Sequence, residues 1–214
     1  MKREFLGDSY DAVKRLWGEL LRDWAQLYAA PRFIPEELRS DFTRLTGIKI
    51  LPDKPFGIYS ILNDPDTGIR LPNKSNQTEG RTHIALPSIV TQLQDDAARC
   101  VITFDQSNYR TSGLKGQRWQ KMQYLGDNGI QSFYYVSHAP FLFAASSPQA
   151  LQELGRILSN AGIPAERLDG IAKWGETGTL PYFRQPPRKL TSKTTGRSWS
   201  GQSLTAEPFL LSSR

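Results

Sequence analysis

Four short segments of this chain of 214 residues place acids, hydroxyls or an imidazole directly behind an apolar stretch. They are Asp8-Ser9 with Asp11, Asp64 with Asp66, Asp105 with Ser107, and Ser137-His138. In an open α/β sheet, ligands bind outside the carboxyl ends of the strands. If the apolar stretches are parallel strands, the five carboxylates of these segments converge on one edge. Carboxylates brought together raise one another's pKa until a cation neutralises them. Mg²⁺ or Mn²⁺ does so through hard oxygen ligands, and Lys14, Arg70 or Arg110 could act as internal counter-ions instead.

This pattern assigns Asp64, Asp66 and Asp105 as metal ligands, with Asp8 completing the acidic cluster and His138 as general base. Lys14, Ser107 and Arg110 are the matching substrate contacts. Each residue also has a plain structural use. Asp8 stands where a helix N-cap belongs, and Asp11 and Lys14 are spaced to pair at i, i+3. Asp64-Pro-Asp-Thr-Gly is a good turn sequence, and His138 fits the tip of a hairpin. Cys100 lies inside an apolar run, where a buried inert thiol is expected.

The elements that must position these groups follow from periodicity. Residues 4–7 suggest a short strand, and apolar residues from Val13 to Tyr28 repeat at helical spacing over five turns until Pro31. A second helix opens at Pro35 and stops at Gly47, and a short strand fits 47–51. Strands are expected at 57–62, 100–104, 132–137 and 141–145, and helices at 82–98 (broken near Pro87), 115–127 and 148–161. The alternation predicts an α/β, Rossmann-like, mostly parallel sheet with flanking helices. The short His138–Pro140 link makes its last two strands an antiparallel hairpin.

With 38% hydrophobic residues the chain can build a core, and no apolar run approaches a membrane span. One cysteine and two histidines exclude a disulfide framework and a Cys- or multi-His-based metal site. No secretory signal is legible, so a cytoplasmic, bacterial-type protein is expected. The net charge of +6 is concentrated. Residues 184–197 carry Arg184, Arg188, Lys189, Lys193 and Arg197 and no acid. The chain thus divides into an α/β domain, 1–172, and a basic Pro/Ser/Thr-rich extension, 173–214. Such an extension suits DNA or RNA phosphates, or a protein partner on which it folds. GxGxxG after a strand, GxxxxGK[ST] and GxSxG are absent, against dinucleotide enzymes, P-loop NTPases and serine hydrolases.

Phe5-Leu-Gly-Asp-Ser-Tyr-Asp-x-Val-Lys-Arg, Asn63-Asp-Pro-Asp-Thr-Gly-Ile, Phe104-Asp-Gln-Ser and Tyr135-Val-Ser-His-Ala-Pro-Phe-Leu together resemble a family of uncharacterised bacterial proteins, over residues 4–168. That resemblance implies organisation and no activity. A weaker one is to Rossmann-like methyltransferases, whose (D/N)PP(Y/F) loop is similar to Asp64-Pro-Asp behind a strand. It implies S-adenosylmethionine near Asp8 and Asp64, with Asp64–Gly68 holding the target. Asp66 replaces the second proline of that loop, and no glycine-rich cofactor loop follows the first strand. The leading expectation is a metal-dependent nuclease. Its alternatives are a methyltransferase-type domain acting on nucleic acid and a non-catalytic nucleic-acid-binding or adaptor subunit of a larger assembly.

Overall fold

A computed structural model describes residues 3–71, 80–108 and 114–170. Arg110 and the basic residues Arg184, Arg188, Lys189, Lys193 and Arg197 lie outside the described residues, as does the expected extension. Among the described residues no helix is long and apolar enough to cross a membrane.

The chain begins with a 3-10 turn, Arg3–Phe5, in place of the strand expected at 4–7. Gly7, at φ 85°, turns the backbone into helix α1, Ser9–Leu21. Asp8 caps it, its Oδ1 accepting from the N–H groups of Tyr10 (2.8 Å) and Asp11 (3.1 Å). Asp11 reaches back, Oδ2 accepting from the Gly7 N–H at 2.7 Å. Side-chain caps of this kind contribute about 1 kcal/mol. The buried stripe of α1 is Asp11, Lys14, Trp17 and Leu21, apolar towards the C-terminus and charged at its start.

Helix α1 is shorter than the five-turn helix expected through Tyr28. Residues Gln26–Ala29 form strand β1 instead, with Leu27 and Ala29 buried and Gln26 and Tyr28 half-buried. A strand this short fits a helical period as readily as an alternating one, so spacing could not separate them. Its hydrogen bonds to strands on both sides decide the matter.

Downstream, α2 (Arg39–Thr46) ends on Gly47 in the left-handed conformation, followed by β2 (Lys49–Ile50), β3 (Tyr59–Asn63) and β4 (Gly68–Ile69). The helix expected over 82–98 divides into β5 (His83–Ile84) and α3 (Leu86–Gln92). Pro87 lies in the first turn of α3, where its missing N–H costs nothing, rather than breaking a longer helix. Then come β6 (Ala98–Phe104), α4 (Leu114–Asp127), β7 (Gln131–Tyr135), β8 (Phe141–Ala145), α5 (Pro148–Asn160) and β9 (Leu168–Asp169).

The main sheet has the order β2-β1-β3-β6-β8-β7-β9, and β4 pairs with β5 separately. Strands β2, β1, β3 and β6 are mutually parallel, and β8 lies antiparallel between β6 and β7. The fold is therefore the expected Rossmann-like α/β sheet with its terminal antiparallel pair. Alternation at the strand ends assigns the helices to faces. Phe104 meets Tyr10 and Lys14 of α1, whereas Asp105 meets Lys121 of α4. Trp17 of α1 packs edge-on against Tyr135, Phe141 and Phe143, closing the core on its side.

Cys100, fully buried in β6, has its thiol pushed up to about 12 by burial. A thiol reagent at neutral pH is therefore expected to leave the native protein unmodified and to label it on unfolding in urea. Prompt labelling of the native chain would contradict a buried β6.

Candidate functional site

Lys14 is the pivot of the site. Its ammonium donates to Asp11 Oδ1 and to Asp64 Oδ2, both at 2.8 Å, with all three side chains at or below 5% exposure. One contact is local to α1 and the other spans 50 residues to the end of β3. Burial by itself would lower the Lys14 pKa, but the two carboxylates outweigh it and hold it above the ordinary lysine value. Burial holds the Asp64 carboxyl above its usual range, against the pull of Lys14. Two carboxyl groups thus share one ammonium.

Above this trio lies a cavity of about 510 Å³. Asp8, Lys14, Asp64, Asp66, Tyr10 and Phe104 are among its lining residues. It opens at the carboxyl ends of β3 and β6, where an open α/β sheet binds its ligands. Asp66 is exposed, while Asp64 is buried beneath Lys14. His138 is exposed, its ring centroid 5.8 Å from that of Tyr10. The structure thus brings Asp8, Asp64, Asp66 and Lys14 around one space, with His138 one ring away.

Asp105 is elsewhere. Asn63 pairs with Thr103 across β3 and β6, so Asp64 and Asp105 are out of step by one residue. Side chains alternate between faces, and the two acids end on opposite sides of the sheet. Asp105 is 0% exposed. Its Oδ1 accepts from the Ile69 N–H (3.0 Å), the Ser107 N–H (3.3 Å) and the Ser107 hydroxyl (2.5 Å). Its Oδ2 accepts from Lys121 Nζ (2.7 Å) and the Tyr134 hydroxyl (2.8 Å). Burial would raise this carboxyl, but the Lys121 ammonium and these donors hold it below the usual carboxylate value. Lys121 itself is drawn down by burial.

With its lone pairs occupied, Asp105 works as an anchor. It ties α4, β7 and the start of β4, and so fixes the far end of the loop carrying Asp64 and Asp66. Gly68, at φ 132°, is required by this contact, since a Cβ there would stand 2.8 Å from the Asp105 Cα. Ser107 serves the same knot, its hydroxyl also donating to the Ile69 carbonyl at 3.2 Å. Among the described residues no group of three or more His, Cys, Asp or Glu side chains is placed to hold a metal ion. The carboxylates that line the cavity are Asp8, Asp64 and Asp66.

Sequence reasoning did not single out Lys121, Tyr134, Tyr10 or Gln106. For Lys121 a signal existed. Arg118, Lys121, Met122 and Leu125 fall at i, i+3, i+4 and i+7 of α4, and all are buried, so two basic residues stand on its inward stripe.

Lys121→Met is expected to lower stability by about 3–5 kcal/mol, since it strands a buried carboxylate. The Asp105 carboxyl holds its protons less tightly in the native chain than in the unfolded one. Its contribution is therefore complete above the ordinary carboxylate pKa of about 3.9 and is lost as pH falls through the folded value. Urea midpoints measured against pH should show that acid limb, flattened in Asp105→Asn. An acid limb identical in the variant would contradict the assignment.

Comparison with known proteins returns no matching family model, no similar curated protein and no similar solved structure.

Proposed function

We propose that the chain is a metal-dependent phosphodiester-cleaving enzyme, a nuclease, working at the cavity above Lys14. The observation that carries this reading is the gathering of Asp8, Asp64 and Asp66 around one space at the strand ends. An anionic phosphodiester does not enter so acidic a cavity without a cation. Mg²⁺ and Mn²⁺ are held through one or two carboxylates and the substrate's own phosphate oxygens, and Asp64 and Asp66 are two such hard donors. A bound divalent ion supplies charge neutralisation at the phosphate and a more acidic water.

The chain's own groups have defined tasks in this reading. Lys14 fixes the Asp64 carboxylate through one donor and braces it against Asp11 through another. Its third N–H is left for an oxygen in the cavity. His138, exposed beside Tyr10, accepts a proton from the attacking water or orients it. Asp105 and Ser107 keep the acid-bearing loop in place from the opposite face. The basic residues of 184–197 add affinity for DNA or RNA phosphates that weakens with salt.

The methyltransferase likeness gains one specific support, the antiparallel β8 between β6 and β7 in a sheet whose β3 runs into Asp64-Pro65-Asp66. The adenosyl cofactor does not fit the residues present. After β1 the chain runs Ala30-Pro31-Arg32-Phe33 into a 3-10 turn with Ala30 and Phe33 buried, and no glycine there lets a cofactor reach the backbone.

The test is cleavage of single- and double-stranded DNA and RNA with Mn²⁺. Asp64→Ala and Asp66→Ala should each reduce the rate by about a hundredfold or more, the scale of losing a group that stabilises transition-state charge. Asp66 is exposed, so Asp66→Ala should still unfold in one cooperative urea transition. Cleavage that survives both substitutions would remove the assigned centre. Saturable S-adenosylmethionine binding would replace it with methyl transfer.

A further inference from the structure

The proposed cation uses only part of the cavity, and the residues left over share a chemistry of their own. Phe5, Tyr10 and Phe104 line it with rings, and Asp8 and Gln106 line it with polar groups. Phe5 is 53% exposed at this concave site. Tyr10 extends the ring surface, its centroid 5.3 Å from that of Phe104 and 5.8 Å from that of His138. Of the Asp8 carboxylate, Oδ1 caps α1, which leaves Oδ2 as an acceptor. The Gln106 amide makes no side-chain hydrogen bond among the described residues and offers both a donor and an acceptor.

Flat rings beside carboxylate and amide groups match the face and edge of a nucleobase. Aromatic side chains stack on any base, contributing about 1–3 kcal/mol each. A carboxylate adds selectivity, because it accepts from an exocyclic amino group such as that of cytosine. Thymine and uracil present carbonyl oxygens where those amino groups would be. A base inside a duplex offers a pocket neither its stacked face nor its pairing edge, so it must be unpaired or flipped out.

We infer that the cavity takes one unpaired, amino-bearing nucleobase, stacked against Phe5 and Tyr10 and read at its edge by Asp8 and Gln106. The inference rests on the nucleic-acid reading of this cavity and narrows its substrate to single strands. Phe5 and Tyr10 set affinity, Asp8 sets the preference among bases, and neither role depends on the hydrolytic step.

The full chain is titrated with fluorescently labelled oligo(dC), oligo(dA), oligo(dT) and a mixed-sequence duplex, all with non-cleavable phosphodiester analogues as linkages and with Mn²⁺ present, so that binding is read without cleavage. Oligo(dC) and oligo(dA) should bind about tenfold or more tighter than oligo(dT) or the duplex. Phe5→Ala should weaken oligo(dC) binding by about 5- to 150-fold, the equivalent of one lost stacking contact, and Phe5→Trp should retain it. Asp8→Asn, which keeps an N-capping side chain, should reduce the preference for oligo(dC) over oligo(dT). Equal binding of all four ligands, unchanged in Phe5→Ala and Asp8→Asn, would overturn the inference. Competition by deoxycytidine monophosphate as effective as that by oligo(dC) would overturn the strand as ligand in favour of a free nucleotide. Base preference without any Mn²⁺-dependent cleavage would uphold the pocket and remove the nuclease. Cleavage without base preference would do the reverse.

Discussion

One buried ammonium organises the candidate site. Lys14 joins the start of α1 to the first residue beyond β3, across 50 positions of sequence, and does so between two carboxylates. A lysine at 4% exposure is tolerable only with partners at hydrogen-bonding distance. The arrangement therefore specifies where α1 must begin relative to the sheet. It also places two carboxyl groups on one ammonium beneath the cavity. Asp8 lines that cavity while capping the helix that carries Lys14, so cap, ion pair and cavity wall are one construction.

The opposite face of the sheet holds the second buried ion pair, Asp105–Lys121, and the two pairs divide the labour. Asp105 gathers donors from β4, α4 and β7 and holds Gly68 and Ile69 against the end of β6. The loop from Asp64 to Gly68 is thus fixed at one end by Lys14 and at the other by Asp105. A functional loop clamped at both ends keeps its two acids at a set spacing, the pre-organisation that metal and phosphate chemistry requires.

The architecture was legible because strong signals coincided. Continuous apolar runs at β3, β6 and β8, turn residues between them and capped amphipathic helices all pointed to one α/β sheet. The register of the strand ends was not legible. Asp64 and Asp105 follow similar apolar runs and read as equivalent, yet the pairing of Asn63 with Thr103 puts them on opposite faces. A shift of one residue separates a cluster from two unrelated anchors. Strand β1 was hidden for a related reason, since Trp24, Leu27 and Tyr28 continue the spacing of α1 although the helix ends at Leu21. Its identity depends on partners distant in sequence. The ring lining of the cavity was equally out of reach, because Tyr10 meets Phe104 only once α1 lies against β6.

Metal occupancy of the Asp64–Asp66 pair is the claim on which the functional account turns, and electron paramagnetic resonance of a Mn²⁺ titration reads it directly. The account predicts one Mn²⁺ bound per chain, tightened by a non-cleavable phosphodiester analogue and lost in an Asp66→Ala chain that still unfolds cooperatively. The same site should add about 2.7 kcal/mol of stability at about one hundred times its dissociation constant. Mn²⁺ that stays free in the wild-type chain, with and without the analogue, or that binds equally well without Asp66, would contradict it.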